Sequence, residues 1–205
     1  MGQYWPPVML QKVITPQAQQ ARNRRSLIMA DTRYIGIIGA GARGTRYVRF
    51  MRDFDRPVTL LGIADPSDRH IAMCRTEAGD CLAADCKTYS HWGPMLADLG
   101  HRLDGVIIGT PNHLHHDPAI ESMNAGIRAI ALEKPLATTI EDCRHIVTRA
   151  YETDTRVQLG FVLRSAPFYR KVKSLLDDGA IGRVISIQAD ELVSRFVTGI
   201  MFRGP

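Results

Sequence analysis

The chain has 205 residues, 45% hydrophobic and 23% charged, with a mean hydropathy just below zero, a composition that buries a substantial core and excludes disorder as the main state. No apolar run approaches the ~20 residues that cross a bilayer, which excludes a membrane-spanning helix. The net charge of +5 points to no acidic partner: the first thirty residues carry Lys12, Arg22, Arg24 and Arg25 without one acid. No stripe of Lys and Arg follows residue 31, so nucleic-acid binding is not expected.

Residues 1–30 read as a disordered or non-native extension. Arg24 and Arg25 before Ser26, Leu27 and Ile28 are reminiscent of a twin-arginine export signal, but Asp31 and Arg33 interrupt the apolar stretch such a signal needs. Met29 is an alternative start, five residues before the first strand. Cys74, Cys81, Cys86 and Cys143 form no C-x-x-C pair, which suits reduced thiols of a cytoplasmic protein.

From Tyr34 onward, short apolar runs alternate with longer amphipathic stretches. The runs are Tyr34 to Ile38, Val58 to Ala64, Cys86 to Tyr89, Gly105 to Ile108, Ile127 to Leu132 and Val157 to Phe161. Helices are expected at Ala42 to Arg52, Ser67 to Ala78, Gly93 to Leu99, Pro118 to Asn124 and Ile140 to Tyr151, the last opened by Thr138 with Glu141 as a capping box. Strands apolar on both faces between helices predict an α/β protein with a doubly wound parallel sheet, the Rossmann arrangement, over residues 31–164. A further helix from Pro167 to Asp178 and an alternating strand from Arg183 to Val193 then open an α+β substrate domain over 165–205 that is incomplete at Pro205.

Three motifs fall at the carboxyl ends of strands. In Gly36-Ile-Ile-Gly39-Ala-Gly41-Ala-Arg-Gly44, a G-x-G-x-x-G follows a strand and opens a helix: Gly39 permits the tight turn, Gly41 lets a pyrophosphate approach the backbone, and Gly44 lets helix and strand pack closely. Asp65, about twenty residues on, ends the second strand, where a carboxylate accepts hydrogen bonds from an adenosine ribose. Asp65 would repel a 2′-phosphate, favouring NAD over NADP, although Arg43 or Arg69 could bind one. The loop Thr110-Pro111-Asn112-His113-Leu114-His115-His116 follows the fourth strand, where the strand order of such sheets reverses and ligands bind. Its three histidines lack a carboxylate or cysteine at ligand spacing, so no metal is expected. Glu133-Lys134-Pro135 ends the fifth strand, and a lysine there can donate a hydrogen bond or a proton to a substrate oxygen.

Taken together, the glycine turn, Asp65, "TPNHLHH", "GIRAIALEKPLATT" and "GFVLRSAPFYRKVKSLLDDGAIGRV" resemble the glucose-fructose oxidoreductase and inositol dehydrogenase (Gfo/Idh/MocA) family from about Tyr34 to Val193. The resemblance implies an NAD- or NADP-dependent oxidoreductase of sugars, polyols or related alcohols, usually homo-oligomeric. It implies that Gly39, Ala40, Gly41, Arg43 and Gly44 hold the pyrophosphate and Asp65 the adenosine ribose. Thr110, Pro111, Asn112 and His115 would line the nicotinamide side. Glu133 and Lys134 belong to the family's E-K-P motif, with Lys134 the catalytic candidate near nicotinamide and substrate, the proline commonly following a cis peptide, and Arg164 reaching the same crevice. The family's further catalytic pair, an aspartate and a histidine four apart, has no counterpart up to Pro205, so this chain is expected to bind cofactor and turn over little. The alternatives are a non-catalytic dinucleotide-binding module and an S-adenosylmethionine methyltransferase, the latter opposed by the E-K-P segment.

Overall fold

The computed structural model describes residues 32–54 and 56–190. The readings of residues 1–30 as a non-native extension, with its twin-arginine and Met29 alternatives, and the end of the strand expected up to Val193 lie outside the described residues.

Six strands form one parallel sheet: β1 Arg33–Ile38, β2 Val58–Ala64, β3 Leu82–Tyr89, β4 Gly105–Ile108, β5 Ala129–Leu132 and β6 Arg156–Leu159, in the order β3-β2-β1-β4-β5-β6. Strand β1 sits between β2 and β4, so the direction of winding reverses between β1 and β4, the doubly wound order in which a crevice opens at the carboxyl ends of these strands. The registers are in line with that: Ile37 lies beside Ile63 on one side and Ile107 on the other.

Helices cover both faces, which is why the central strands are continuously apolar. On one face α1 (Ala42–Phe50) and α2 (Asp68–Ala78) pack Val48, Cys74 and Ala78 against Ile37, Leu60 and Ile63. On the other, α3 (Trp92–Leu99), α4 (His116–Asn124) and α5 (Ile140–Glu152) pack Met95, Leu99, Met123 and Ile146 against Leu61, Ile108, Ile130 and Leu132.

Two local expectations are corrected. Helix α5 is capped by Thr139, whose hydroxyl accepts from the Asp142 N–H at 3.1 Å; the sequence Thr138-Thr139-Ile140-Glu141-Asp142 offers the same threonine-to-acid spacing in two registers one residue apart, and the second closes. Strand β3 begins at Leu82 rather than Cys86, because it lies at the sheet margin with a half-exposed pattern that its Ala83, Ala84 and Asp85 do not advertise as strand.

Contacts divide the described chain into two compact units, one ending at Gly160 and one beginning at Phe161. The second contains a 3-10 turn at Val162–Ser165 and helix α6 (Pro167–Asp177), started by Pro167 at its first turn. The strand expected from Arg183 is a correction too: residues 183–190 have no regular secondary structure. Alternation alone does not make a strand, whose N–H and C=O groups need a neighbouring strand, and none is present among the described residues of this unit.

Candidate functional site at the carboxyl edge of the sheet

A row of backbone hydrogen bonds continues the ladders one residue past each strand. Gly39 N–H donates to Ala64 O at 2.8 Å, Asp65 N–H to Tyr89 O at 3.0 Å, Gly109 N–H to Ile38 O at 2.8 Å, Glu133 N–H to Ile108 O at 3.0 Å and Gly160 N–H to Leu132 O at 2.8 Å. The three motifs, up to 94 residues apart between Gly39 and Glu133 by their numbers, are thereby set on one edge.

The glycine turn is shaped by contact. Gly39 has φ +85°, and a Cβ there would lie 2.6 Å from the Thr110 nitrogen, so both backbone conformation and the neighbouring loop require glycine. A Cβ on Gly44 would lie 2.1 Å from the Gly39 carbonyl oxygen. A Cβ on Gly41 would meet nothing within 4 Å. Packing explains Gly39 and Gly44 and leaves Gly41 facing open space. Gly41 is also the N-cap of α1, which has no side-chain cap and no acid in its first turn. Uncapped N–H groups and the positive end of the helix dipole meet there, the chemistry that an anion needs.

Asp65 is only 6% exposed. Its Oδ2 accepts from the Ala40 N–H at 2.8 Å, while Oδ1 accepts from the Ser67 N–H at 2.8 Å and faces His70 Nδ1 at 3.1 Å. It therefore ties the glycine turn to the start of α2. The Ala40 N–H is directed to Asp65, so the free donors begin at the helix start beyond it; the Thr45 hydroxyl closes the turn from the other side by donating to Ala40 O at 2.7 Å. Arg43 is exposed on the first turn of α1.

In the loop after β4, Pro111 and Asn112 are exposed, and the Thr110 hydroxyl donates to Leu114 O at 3.0 Å. His115 is fully buried. Its Nδ1 lies 2.6 Å from Pro135 O and its Nε2 3.1 Å from Thr110 O; a neutral ring has a single N–H, which the shorter contact takes. His115 joins the two loops from behind. His116 contacts Asp117 at 2.7 Å and His145 of α5 at 2.8 Å. Among the described residues, no group of three His, Cys, Asp or Glu side chains is arranged to hold a metal ion.

The Lys134–Pro135 peptide is cis, and Lys134 is exposed. Glu133, only 6% exposed, accepts from the Tyr47 hydroxyl at 2.6 Å and, through its other oxygen, from the Lys134 N–H at 3.2 Å. Burial, then the bond to Glu133, pushes the Tyr47 phenol up to about 12. Sequence reasoning missed Tyr47; the one signal was its position three residues after Gly44, on the side of α1 that turns back toward the sheet. Arg164 lies in the 3-10 turn of the second unit, its guanidinium over the Phe161 ring at 5.4 Å. A groove of about 680 Å³ lined by Leu136, Ile146, Tyr151, Arg156 and Leu159 carries none of the three motifs beyond Leu136, next to Pro135.

A doubly wound parallel sheet with a glycine turn between β1 and an uncapped helix, and an acid at the end of β2, defines the class of Rossmann proteins. Residues 33–161 match the family described as "Oxidoreductase family, NAD-binding Rossmann fold" (GFO_IDH_MocA), and the chain belongs to it. It is 30% identical over 151 residues to inositol 2-dehydrogenase 1 of Saccharopolyspora erythraea, covering 72% of this chain and 42% of that protein. It is 29% identical over 154 residues to inositol 2-dehydrogenase of Salmonella typhimurium, covering 74% and 44%. Among solved structures it is similar to scyllo-inositol dehydrogenase from Lactobacillus casei with bound NAD(H) and scyllo-inositol, with a TM-score of 0.66, 25% identity, and 74% of this chain and 43% of that one covered. The chain thus spans about two fifths of the length of these relatives. No helix among the described residues is long and apolar enough to cross a membrane.

Proposed function

We propose that this chain is the cofactor-binding part of an NAD-dependent oxidoreductase of a sugar, cyclic polyol or related alcohol, operating in the cytoplasm. The observation that carries the reading is Gly41: a glycine with empty space above it at an uncapped helix start, while its two neighbours in the motif are glycine for packing. The family and the inositol dehydrogenases among its relatives support the same reading.

In this reading the N–H groups at the start of α1, with Arg43 beside them, bind the pyrophosphate, and Gly39 and Gly44 shape the turn that presents them. Asp65 accepts from the adenosine ribose, and its carboxylate charge repels a 2′-phosphate, which favours NAD over NADP. Thr110, Pro111 and Asn112, held from behind by His115, line the nicotinamide side. The bound nicotinamide supplies the hydride acceptor or donor. Lys134 positions the substrate oxygen and holds a proton at it, and Glu133 fixes the backbone under that lysine. Calorimetric titration of the purified chain with NADH and with NADPH tests this: binding of NADH with a weaker response to NADPH is expected, and retention of neither at about millimolar concentration, where even weak specific ligands register, overturns it.

A further inference from the structure

One contact at the site has no place in the roles above. Tyr47 stands on α1, the helix whose start faces the anion position, and its hydroxyl reaches across to Glu133 at the end of β5, 86 residues away, at 2.6 Å. That distance is in the range of a hydroxyl donating to an ionised carboxylate. Glu133 is buried, and its second oxygen takes the Lys134 N–H. The end of β6 closes the arrangement: a Cβ on Gly160 would come within 3.1 Å of the Tyr47 oxygen and 3.2 Å of Glu133 Oε1, so a glycine at this point leaves room for the pair. Three elements converge on one hydrogen bond, and its carboxylate belongs to the residue immediately before Lys134.

We propose that Tyr47 is a positioning residue: its hydroxyl, through Glu133, sets the Lys134–Pro135 segment against the nicotinamide end of the cleft. The inference rests on the reading of that cleft as a dinucleotide site. In a doubly wound sheet a dinucleotide runs from the acid at the end of β2, across the turn after β1, toward the ends of β4 and β5. Tyr47 therefore touches the half of the site that receives the nicotinamide, although it stands on the helix that receives the phosphates. The bond ties those two halves together: α1 cannot shift over the pyrophosphate without moving Glu133, and the segment carrying Lys134 takes its position from α1. A buried carboxylate that loses such a donor must rotate or recruit water, and the backbone that hangs on its other oxygen moves with it.

The test compares the 205-residue chain as wild type, Tyr47→Phe and Tyr47→His, with two probes: NADH, and ADP-ribose, which lacks the nicotinamide ring. Phenylalanine keeps the aromatic ring and removes the donor, and histidine restores a donor. The expected result is that Tyr47→Phe weakens NADH about tenfold while ADP-ribose stays within about twofold, a coupling of ordinary size between linked sites, and that Tyr47→His recovers most of the loss. Equal losses for both probes, the mark of a merely structural role, or no loss for either, overturn the proposal. Amide exchange of residues 129–137 is measured without ligand as a second readout. Acceleration of that segment in Tyr47→Phe beyond any change shared by the rest of the chain supports the positioning role, and exchange there no different from the rest of the chain overturns it. Failure of the wild-type chain to retain NADH overturns the cofactor reading alone, and the exchange measurement then still decides whether Tyr47 holds the segment.

Discussion

Replacing Gly41 by alanine separates binding from folding more cleanly than any other change at this edge. The added methyl meets no atom within 4 Å, and Gly41 has φ −63° and ψ −165°, extended backbone open to alanine. The folded state thus absorbs it, with a loss of about 1 kcal/mol or less because glycine is the better N-cap of the two. The same methyl stands where a pyrophosphate must approach the backbone. Displacing the phosphates removes one or two charge-assisted hydrogen bonds of about 1.5–3 kcal/mol each, which corresponds to roughly tenfold or greater loss of affinity. The control is Gly44→Ala, whose methyl would lie 2.1 Å from the Gly39 carbonyl oxygen and should destabilise the fold by about 3 kcal/mol or more, the upper range of overpacking. Urea denaturation and NADH fluorescence titration of both variants make the assay. Undiminished NADH binding by Gly41→Ala, at unchanged stability, would refute the assignment of this turn to a phosphate.

Asp65→Asn places a donor amide against the N–H groups of Ala40 and Ser67 and should cost about 1–3 kcal/mol in urea unfolding together with a loss of NADH affinity; unaltered values for both would exclude its double role. His115→Ala empties a fully buried site and leaves Pro135 O without its donor, for an expected loss of about 2–4 kcal/mol in the same measurement. Because the folded state holds the Tyr47 phenol up to about 12 against an ordinary 10, its contribution to stability is complete below pH 10 and is lost as pH rises from 10 towards 12. Tyr47→Phe should flatten that part of the curve of unfolding midpoint against pH, and an unchanged alkaline slope would contradict the burial of the phenol together with its bond to Glu133. Burial pushes the Cys74 thiol up to about 12, so alkylation at pH 8 followed by mass spectrometry should label Cys81 well before Cys74.

The parts of the fold that were legible in the sequence are those where one physical cause dominates. Strands β1, β2 and β4 are apolar on both faces because helices cover both, and the adjacent pairs Ile37-Ile38, Leu60-Leu61 and Ile107-Ile108, one residue to each face, announce it. Helix α6 starts at a proline and was read almost to its last residue. Strand β3 was half missed because at the sheet margin none of its residues is fully buried, and Ala83, Ala84 and Asp85 look like loop. The three motifs of the site were legible because each combines a strand end with residues that need a special backbone or charge. The Tyr47–Glu133 bond was not, since nothing in 86 residues of intervening sequence indicates that a tyrosine on α1 meets a carboxylate at the end of β5. Nor did Asp65 reveal its ties to Ala40 and Ser67, because an acid after a strand reads the same whether it serves a ligand or the turn beside it.

The most direct test is the structure of the chain crystallised with NADH. The account predicts the pyrophosphate over Gly41 at the start of α1, the adenosine ribose against Asp65, and the nicotinamide toward Asn112 and Lys134. Ligand bound away from the carboxyl edge of β1 and β4, or lying there with its phosphates distant from Gly41, would contradict it.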